Sequence, residues 1–311
     1  MTEHATLRLG TRGSELARTQ STTVAEALRA LGFAVELTII KTAGDQNTTS
    51  TFGSIGAQGV FVREIEQALV ERRVELAVHS FKDLPTKSPP ELAIGAVPQR
   101  VDPADLLLVR REAFVGTGDG WLPLKAGARV GTASARRSAW LKSFRPDLVI
   151  LPLRGNVPTR VHRLEEGAFD AIVLAAAGVA RLQAEERLGS ALTGVEVLRL
   201  DPQRFVPAPA QGALAVQCRR DDERVLAALA RIDHSASRVA VSAERDALAR
   251  AEGGCDVAFG AYCVATGGQH ELVAMLERGG TVRTARVASS DAATLGAAAW
   301  SRLDTAGGTR P

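Results

Sequence analysis

Between residues 7 and 188 the sequence alternates short β-type runs with helical periodicities, and few folds accept such a pattern. "TLRLGT" reads as a strand, followed by a helix from about Ser14 to Leu31 with Val24, Ala27, Leu28 and Leu31 on one face. "AVELTIIKT" (34–42) alternates as a strand does, and "VELAVHS" (74–80) is a further strand. Between them a Gly/Ser/Thr-rich stretch (43–59) lacks periodicity and reads as a loop. A helix is expected over 60–72, with Phe61, Ile65, Ala68 and Leu69 inward. The alternation restarts near 105, with strands at "DLLLVR", "ARVGT", "LVILPL" and "DAIVLAAA" and helices around 135–144, 156–166 and 178–188. Alternating βα units imply sheets with helices on both faces. Two such sheets joined by crossing segments are expected to leave a cleft.

The pattern changes after "PAPAQGALAVQC" (207–218). Helical periodicity covers 222–232 and 237–251, then alternation around two glycine turns announces antiparallel hairpins, and an alanine-rich helix is expected over 291–303. This is the signature of a small α+β domain. At 311 residues the chain has room for about two or three domains.

Several function classes are disfavoured. The longest apolar run, "AIVLAAAGVA" (171–180), is too short for a bilayer, and "MTEHATLRLG" lacks a signal-peptide pattern. Three cysteines make no disulfide framework, so a reducing, cytoplasmic setting is expected. A net charge of +3 with 4% aromatics disfavours nucleic acid. Arginine dominates the cations, and its rigid fork suits bidentate binding of carboxylate or phosphate.

Three places share one plan: a strand ends, a polar turn carries arginine, and a helix begins. They are "RLGTRGSELA" (8–17), "RVGTASARRSAW" (129–140) and "LPLRGNVPTRVHRL" (151–164). In open α/β sheets ligands bind beyond the carboxyl ends of strands, and helix N-termini attract anions. A cation in a first helical turn loses about 0.3–1 kcal/mol at an exposed site. Arg136 and Arg137, with Arg12, Arg154 and Arg160 comparably placed, break that preference together. The repetition points to a ligand that supplies the missing negative charge; arginines lying in water beyond misplaced helix ends are the alternative. A fourth strand end carries "HSFKDLP" (79–85), where Lys82 and Asp83 fit a solvated pair as well as an anion holder beside a proton carrier.

"EGGCDVAFG" (252–260) places Cys255 after two glycines where a helix stops. Gly253 and Gly254 fit a helix C-cap, although free cysteines are mostly buried and inert. Cys218 and Cys263 lie in strand-like apolar surroundings and read as core residues.

"VHSFKDLPT", "GTASARRSAWL", "LRGNVPTR", "DAIVLAAAGVARL", "PAPAQGALAVQCR" and "EGGCDVAFGAY" occur in this order, and over about Leu7 to Tyr262 the chain resembles the porphobilinogen deaminase (hydroxymethylbilane synthase) family. The resemblance implies an α/β fold of two periplasmic-binding-protein-like domains flanking a cleft, plus a small C-terminal α+β domain. It implies domain 1 from 1–101 and 205–221, domain 2 from 102–204, and a cofactor-attachment domain from 222–311. The implied reaction joins four porphobilinogen molecules head to tail into hydroxymethylbilane, releasing ammonia. It runs on a dipyrromethane cofactor held by Cys255 through a thioether. A monomer acting on a small molecule, without metal, membrane or nucleic acid, is expected.

The resemblance assigns catalysis to Asp83. It assigns cofactor contacts to Ser80, Lys82, Thr132, Ser134, Arg136, Arg137, Arg160 and Arg181, and substrate contacts to Arg12, Ser14, Gln20, Phe61 and Arg154. Phe61 fits a stacking contact with a pyrrole ring and a plain core role equally. Each pyrrole ring bears an acetate and a propionate, so a growing chain needs many charge-assisted donors. The chain departs from the pattern at Ser54 and Gln58, where the family carries lysines in a lid loop, and at Asp256, where glutamine is common. A non-catalytic two-lobed anion-binding protein and a slow diverged homologue are the competing readings.

Overall fold

The computed structural model describes residues 6–40, 54–116, 121–184, 192–251 and 258–305, with backbone alone for 54–61. In chain order the strands are β1 (Leu7–Thr11), β2 (Val35–Ile39), β3 (Leu76–Ser80), β4 (Leu92–Ala96), β5 (Asp105–Arg110), β6 (Arg129–Gly131) and β7 (Val149–Leu151). They continue with β8 (Ala171–Ala175), β9 (Val195–Arg199), β10 (Leu214–Arg219), β11 (Phe259–Thr266), β12 (Gln269–Arg278) and β13 (Thr281–Ser289). The helices are α1 (Glu15–Ala30), α2 (Ser54–Val70), α3 (Ala135–Phe144), α4 (Val157–Glu165), α5 (Ala176–Ala184), α6 (Glu223–Ala230), α7 (Ser235–Arg250) and α8 (Leu295–Asp304).

Two five-stranded sheets repeat one plan, with orders β2-β1-β3-β10-β4 and β7-β6-β8-β5-β9. In each, three parallel strands are followed by a strand antiparallel to its neighbour, β10 in the first sheet and β5 in the second. The crossover helices follow from sequence: α1 buries Val24, Ala25 and Leu28 against β1 and β3, with Ser14 as N-cap. β11, β12 and β13 form a three-stranded antiparallel meander covered by α8. The expected two sheet-containing α/β domains and small C-terminal sheet domain are therefore present.

Helix α2 begins at Ser54, whereas the sequence suggested a loop as far as 59; Ile65, Ala68 and Leu69 are buried as expected. Strands β4 and β9 went unanticipated. Helix α6, grouped by the sequence with the C-terminal domain, packs Val225, Ala228 and Leu229 into the core of the first sheet. Among the described residues the chain divides into two compact units, one of 6–101 with 212–241, the other of 102–211 with everything from Ser242 onward. In the second unit Trp140 and Phe205 join Leu107, Val130 and Val173 of the sheet to Val273 and Met275 of β12, so the meander shares one core with the second sheet. Among the described residues no helix is long and apolar enough to cross a membrane, and no cluster of His, Cys, Asp and Glu could hold a metal.

Candidate active site

The carboxyl ends of β1 and β3 lie side by side because the two strands pair in parallel. The turn after β1 places half-buried Arg12 and Ser14 there, and the Ser14 hydroxyl accepts from the Ala17 N–H at 3.4 Å, capping α1. One turn further along α1, buried Gln20 donates from Nε2 to the Ser80 Oγ at 2.8 Å, and that hydroxyl donates back to Gln20 Oε1 at 3.2 Å. Helix α1 is thus tied to the last residue of β3. The chain then closes a short 3-10 turn, Phe81–Asp83, whose Phe81 is buried while Lys82 and Asp83 are half-buried. The Phe81 N–H donates to the Ala213 carbonyl at 3.1 Å, so the antiparallel neighbour of β3 fixes the turn's start.

The second unit presents a richer edge. Strands β7, β6 and β8 are parallel, so the turns after them open in one direction. After β6, the Thr132 hydroxyl accepts from the Ser134 N–H at 3.2 Å, and the Ser134 hydroxyl caps α3 by accepting from the Arg137 N–H at 3.4 Å. After β7, Asn156 caps α4 through the Thr159 N–H and hydroxyl, at 2.9 and 2.7 Å. Gly155 has φ +107° there, and a Cβ would meet Thr159 within 3.0 Å, so glycine is required. Arg154 is exposed in this turn, and Arg160 donates from Nε to the Gly155 carbonyl at 2.7 Å. After β8 comes α5, whose last turn carries Arg181; burial pulls its guanidinium down to about 10.

The arginine pair of α3 differs from the sequence expectation. Arg136 and Arg137 are 4% and 6% exposed, and the negative charge assigned to a ligand is supplied by Asp105 at the start of β5. Arg136 pairs with Asp105 Oδ2 at 2.8 Å and Arg137 with Oδ1 at 2.7 Å. Arg136 also donates to the Val206 carbonyl at 2.8 Å, and Arg137 to the Val173 carbonyl at 2.9 Å. Burial pushes the Asp105 carboxyl up, but the two guanidiniums and the bonds from Arg137 and Gln211 outweigh it and hold it well below the usual range. Two cations against one anion leave an excess positive charge, and Arg136 Nε, buried, meets no acceptor among the described residues. An isolated buried charge is costly, so the cluster favours one more anion.

The structure thus gathers Arg12, Ser14, Gln20, Ser80, Lys82 and Asp83 at the carboxyl edge of the first sheet. It gathers Thr132, Ser134, Arg136, Arg137, Arg154 and Arg160 around that of the second, while Arg181 stands in the last turn of α5, the helix that follows β8. Cys255 and Asp256 lie outside the described residues, as do the side chains of Ser54, Gln58 and Phe61. Sequence reasoning passed over Asp105; an acidic residue directly before the apolar run Leu106–Val109 was the available signal. Chemically, each edge suits an α/β enzyme in its own way: the second has donors for a small polyanion, and the first presents a carboxylate able to move protons.

Comparison with known proteins gives that class its family. Residues 7–227 match the family model described as porphobilinogen deaminase, dipyromethane cofactor binding domain. The chain is 44% identical over 272 residues to the porphobilinogen deaminase of Syntrophobacter fumaroxidans, covering 87% of this chain and 84% of that protein. It is 43% identical to the Roseiflexus castenholzii enzyme of the same name, with 97% of each covered. It is 46% identical to that of Mycobacterium leprae, over 82% of this chain and 76% of the relative. The chain belongs to the porphobilinogen deaminase family, and its activity is the deaminative polymerisation of porphobilinogen on a dipyrromethane cofactor. The non-catalytic alternative finds no support.

Proposed function

We propose that the donors at the two sheet edges hold the carboxylates of the cofactor and of the growing pyrrole chain, and that Asp83 serves the reacting ring. The excess positive charge of Arg136 and Arg137 over Asp105 carries this reading, because an anionic ligand would balance a buried cation surplus that carbonyls satisfy only in part. The donor chemistry fits an acidic cofactor: guanidiniums, a lysine and capping hydroxyls, with a buried Arg136 Nε left to accommodate. When bound, dipyrromethane supplies the nucleophilic primer to which each new unit is joined. The chain's residues do the rest. Arg136, Arg137, Arg160, Arg181, Lys82, Ser80, Thr132 and Ser134 hold the cofactor's side chains, Arg12, Ser14, Gln20 and Arg154 the incoming substrate's, and Phe61 stacks on a pyrrole ring.

Asp83 follows Lys82 in the tight turn that closes β3, so the carboxylate and the cation that anchors an anionic ring are offered from one short segment. From there the carboxylate takes and returns the proton of a pyrrole nitrogen and faces the positive charge that develops on it. Cys255 carries the cofactor through its sulfur, and Gln58 and Ser54, lacking a cation, leave the lid contributing less to binding than lysines there. The first domain takes in 1–101 and the strand from 212, with α6 seated on its sheet, while Phe205 and Val206 pack with the second sheet instead of the first. A cytoplasmic monomer completes the proposal. Intact-protein mass spectrometry tests it: an adduct of two pyrrole units removed by Cys255→Ala is expected, and a bare wild-type chain made with porphobilinogen available overturns the assignment.

A further inference from the structure

The arginine pair is held by a buried polar chain that reaches from β5 to the helix preceding Cys255. Gln211 Nε2 donates to Asp105 Oδ1 at 3.0 Å and to the carbonyls of Pro103 and Ala104 at 2.8 and 3.2 Å. Its amide is 1% exposed, and the same Oδ1 receives Arg137 Nε and Nη2. The preceding residue, Ala210, is in the left-handed region at φ +60°, a conformation that costs a residue with a Cβ about 1 kcal/mol or more. That strain is retained because the Ala210 N–H donates to Glu244 Oε2 at 2.7 Å. Glu244, 0% exposed on α7, uses its other oxygen to accept from the Cys263 N–H of β11 at 2.8 Å. A carboxylate clamps the segment, the segment aims an amide, and the amide shares an oxygen with the carboxylate that orients both guanidiniums.

We propose that Gln211, Asp105 and Glu244 are positioning residues for anion binding: together they preset Arg136 and Arg137 to receive one carboxylate, and couple that setting to α7. This rests on the reading of the arginines as carboxylate donors. It follows from the contacts themselves, since a guanidinium whose carboxylate partner is fixed by a third group loses less freedom on binding a ligand. Glu244 is suited to the clamp only as a carboxylate, because both oxygens accept from backbone N–H groups and an amide would turn a donor toward a donor.

The test uses the full-length protein produced with porphobilinogen available, and reads adduct occupancy by intact mass, melting temperature, KM and kcat. Gln211→Leu is expected to lower the occupied fraction and to raise KM about tenfold, with kcat of the occupied fraction changed less than about threefold. Glu244→Gln should act in the same direction. Combining Gln211→Leu with Arg137→Lys should cost no more in KM than the larger single change, since both act through one group. A lowered melting temperature with unchanged KM and occupancy, or multiplying effects in the double variant, overturns the proposal. If Gln211→Leu does not fold, Ala210→Gly, which a positive φ tolerates, loosens the same segment. It should raise KM about twofold to threefold on the same reasoning, and an unchanged KM overturns the proposal. An unloaded wild type would instead overturn the functional reading beneath it.

Discussion

The carboxyl edges of the two sheets are built alike and furnished differently. On the first, a serine cap and the Gln20–Ser80 pair supply neutral fixing contacts, and Lys82 and Asp83 remain half-buried. On the second, neutral caps are joined by charged contacts, and Arg136, Arg137 and Asp105 are almost wholly removed from solvent. Charge-assisted bonds in a buried place hold geometry tightly and punish the loss of one member. Neutral bonds at a half-open edge hold it loosely and let water replace what is removed. On the proposed function, the second edge serves as a fixed receptor for charge and the first as the place where a group acts. Substituting each edge in turn should separate chemistry from stability.

The largest effect belongs to Asp83. Asp83→Ala should leave folding intact, because the carboxylate is half-buried on a short turn, and lower turnover by about 10²–10⁴-fold. Single-turnover assays with porphobilinogen read it; near-normal turnover would remove Asp83 from the chemistry. Asp105→Asn reverses the pattern. Removing the one carboxylate strands two buried guanidiniums, and a loss of about 3–5 kcal/mol in unfolding free energy is expected by denaturant titration. A loss below about 1 kcal/mol, the level of an exposed ion pair, would erase the contrast between the edges.

His79 sharpens the comparison, because it is a buried titratable group one residue before the end of β3. Burial pulls its pKa down to about 4, and the nearby Gln217 side chain opposes this only in part. Between pH 6.5 and about 4 the unfolded chain takes up a proton that the native chain refuses, so stability falls as pH falls through that window. The loss approaches the order of 3 kcal/mol at the acid end. Glu66, bonded to Gln217 at 2.9 Å, has its carboxyl raised by burial, so its contribution declines as pH rises above the ordinary carboxylate range. The wild type minus His79→Gln difference isolates the histidine; a flat difference over pH 4–6.5 would refute its neutral burial.

Much of this architecture was legible because it rests on local signals. The serine and asparagine caps mark where α3 and α4 begin, and the two glycine turns mark the hairpins. What escaped rests on distant contacts. Strand β9, with its exposed and intermediate residues, carries too little apolar alternation to announce itself. Helix α2 starts among glycines and serines whose propensity argues against it. The arginines of α3 were flagged by the sign of their charge alone, correctly marking an unusual place. Their partner Asp105, 32 residues away and buried at a strand start, could not be paired with them from one sequence.

The smallest effect closes the comparison. Gln20 and Ser80 exchange two neutral bonds across α1 and β3, with the amide buried and the hydroxyl half-exposed. Gln20→Leu removes the amide and lets water reach Ser80, so the expected cost is about 0.5–1.5 kcal/mol. A cycle with Ser80→Ala should return a coupling within that range, whereas the Asp105–Arg137 cycle should return about two to three times as much, as for charged partners. The ratio of the two coupling energies is the decisive quantity, since both are measured on one chain and in one solvent. Equal couplings would mean that burial and charge do not distinguish the edges, and the division between a fixed receptor and an acting group would fail with them.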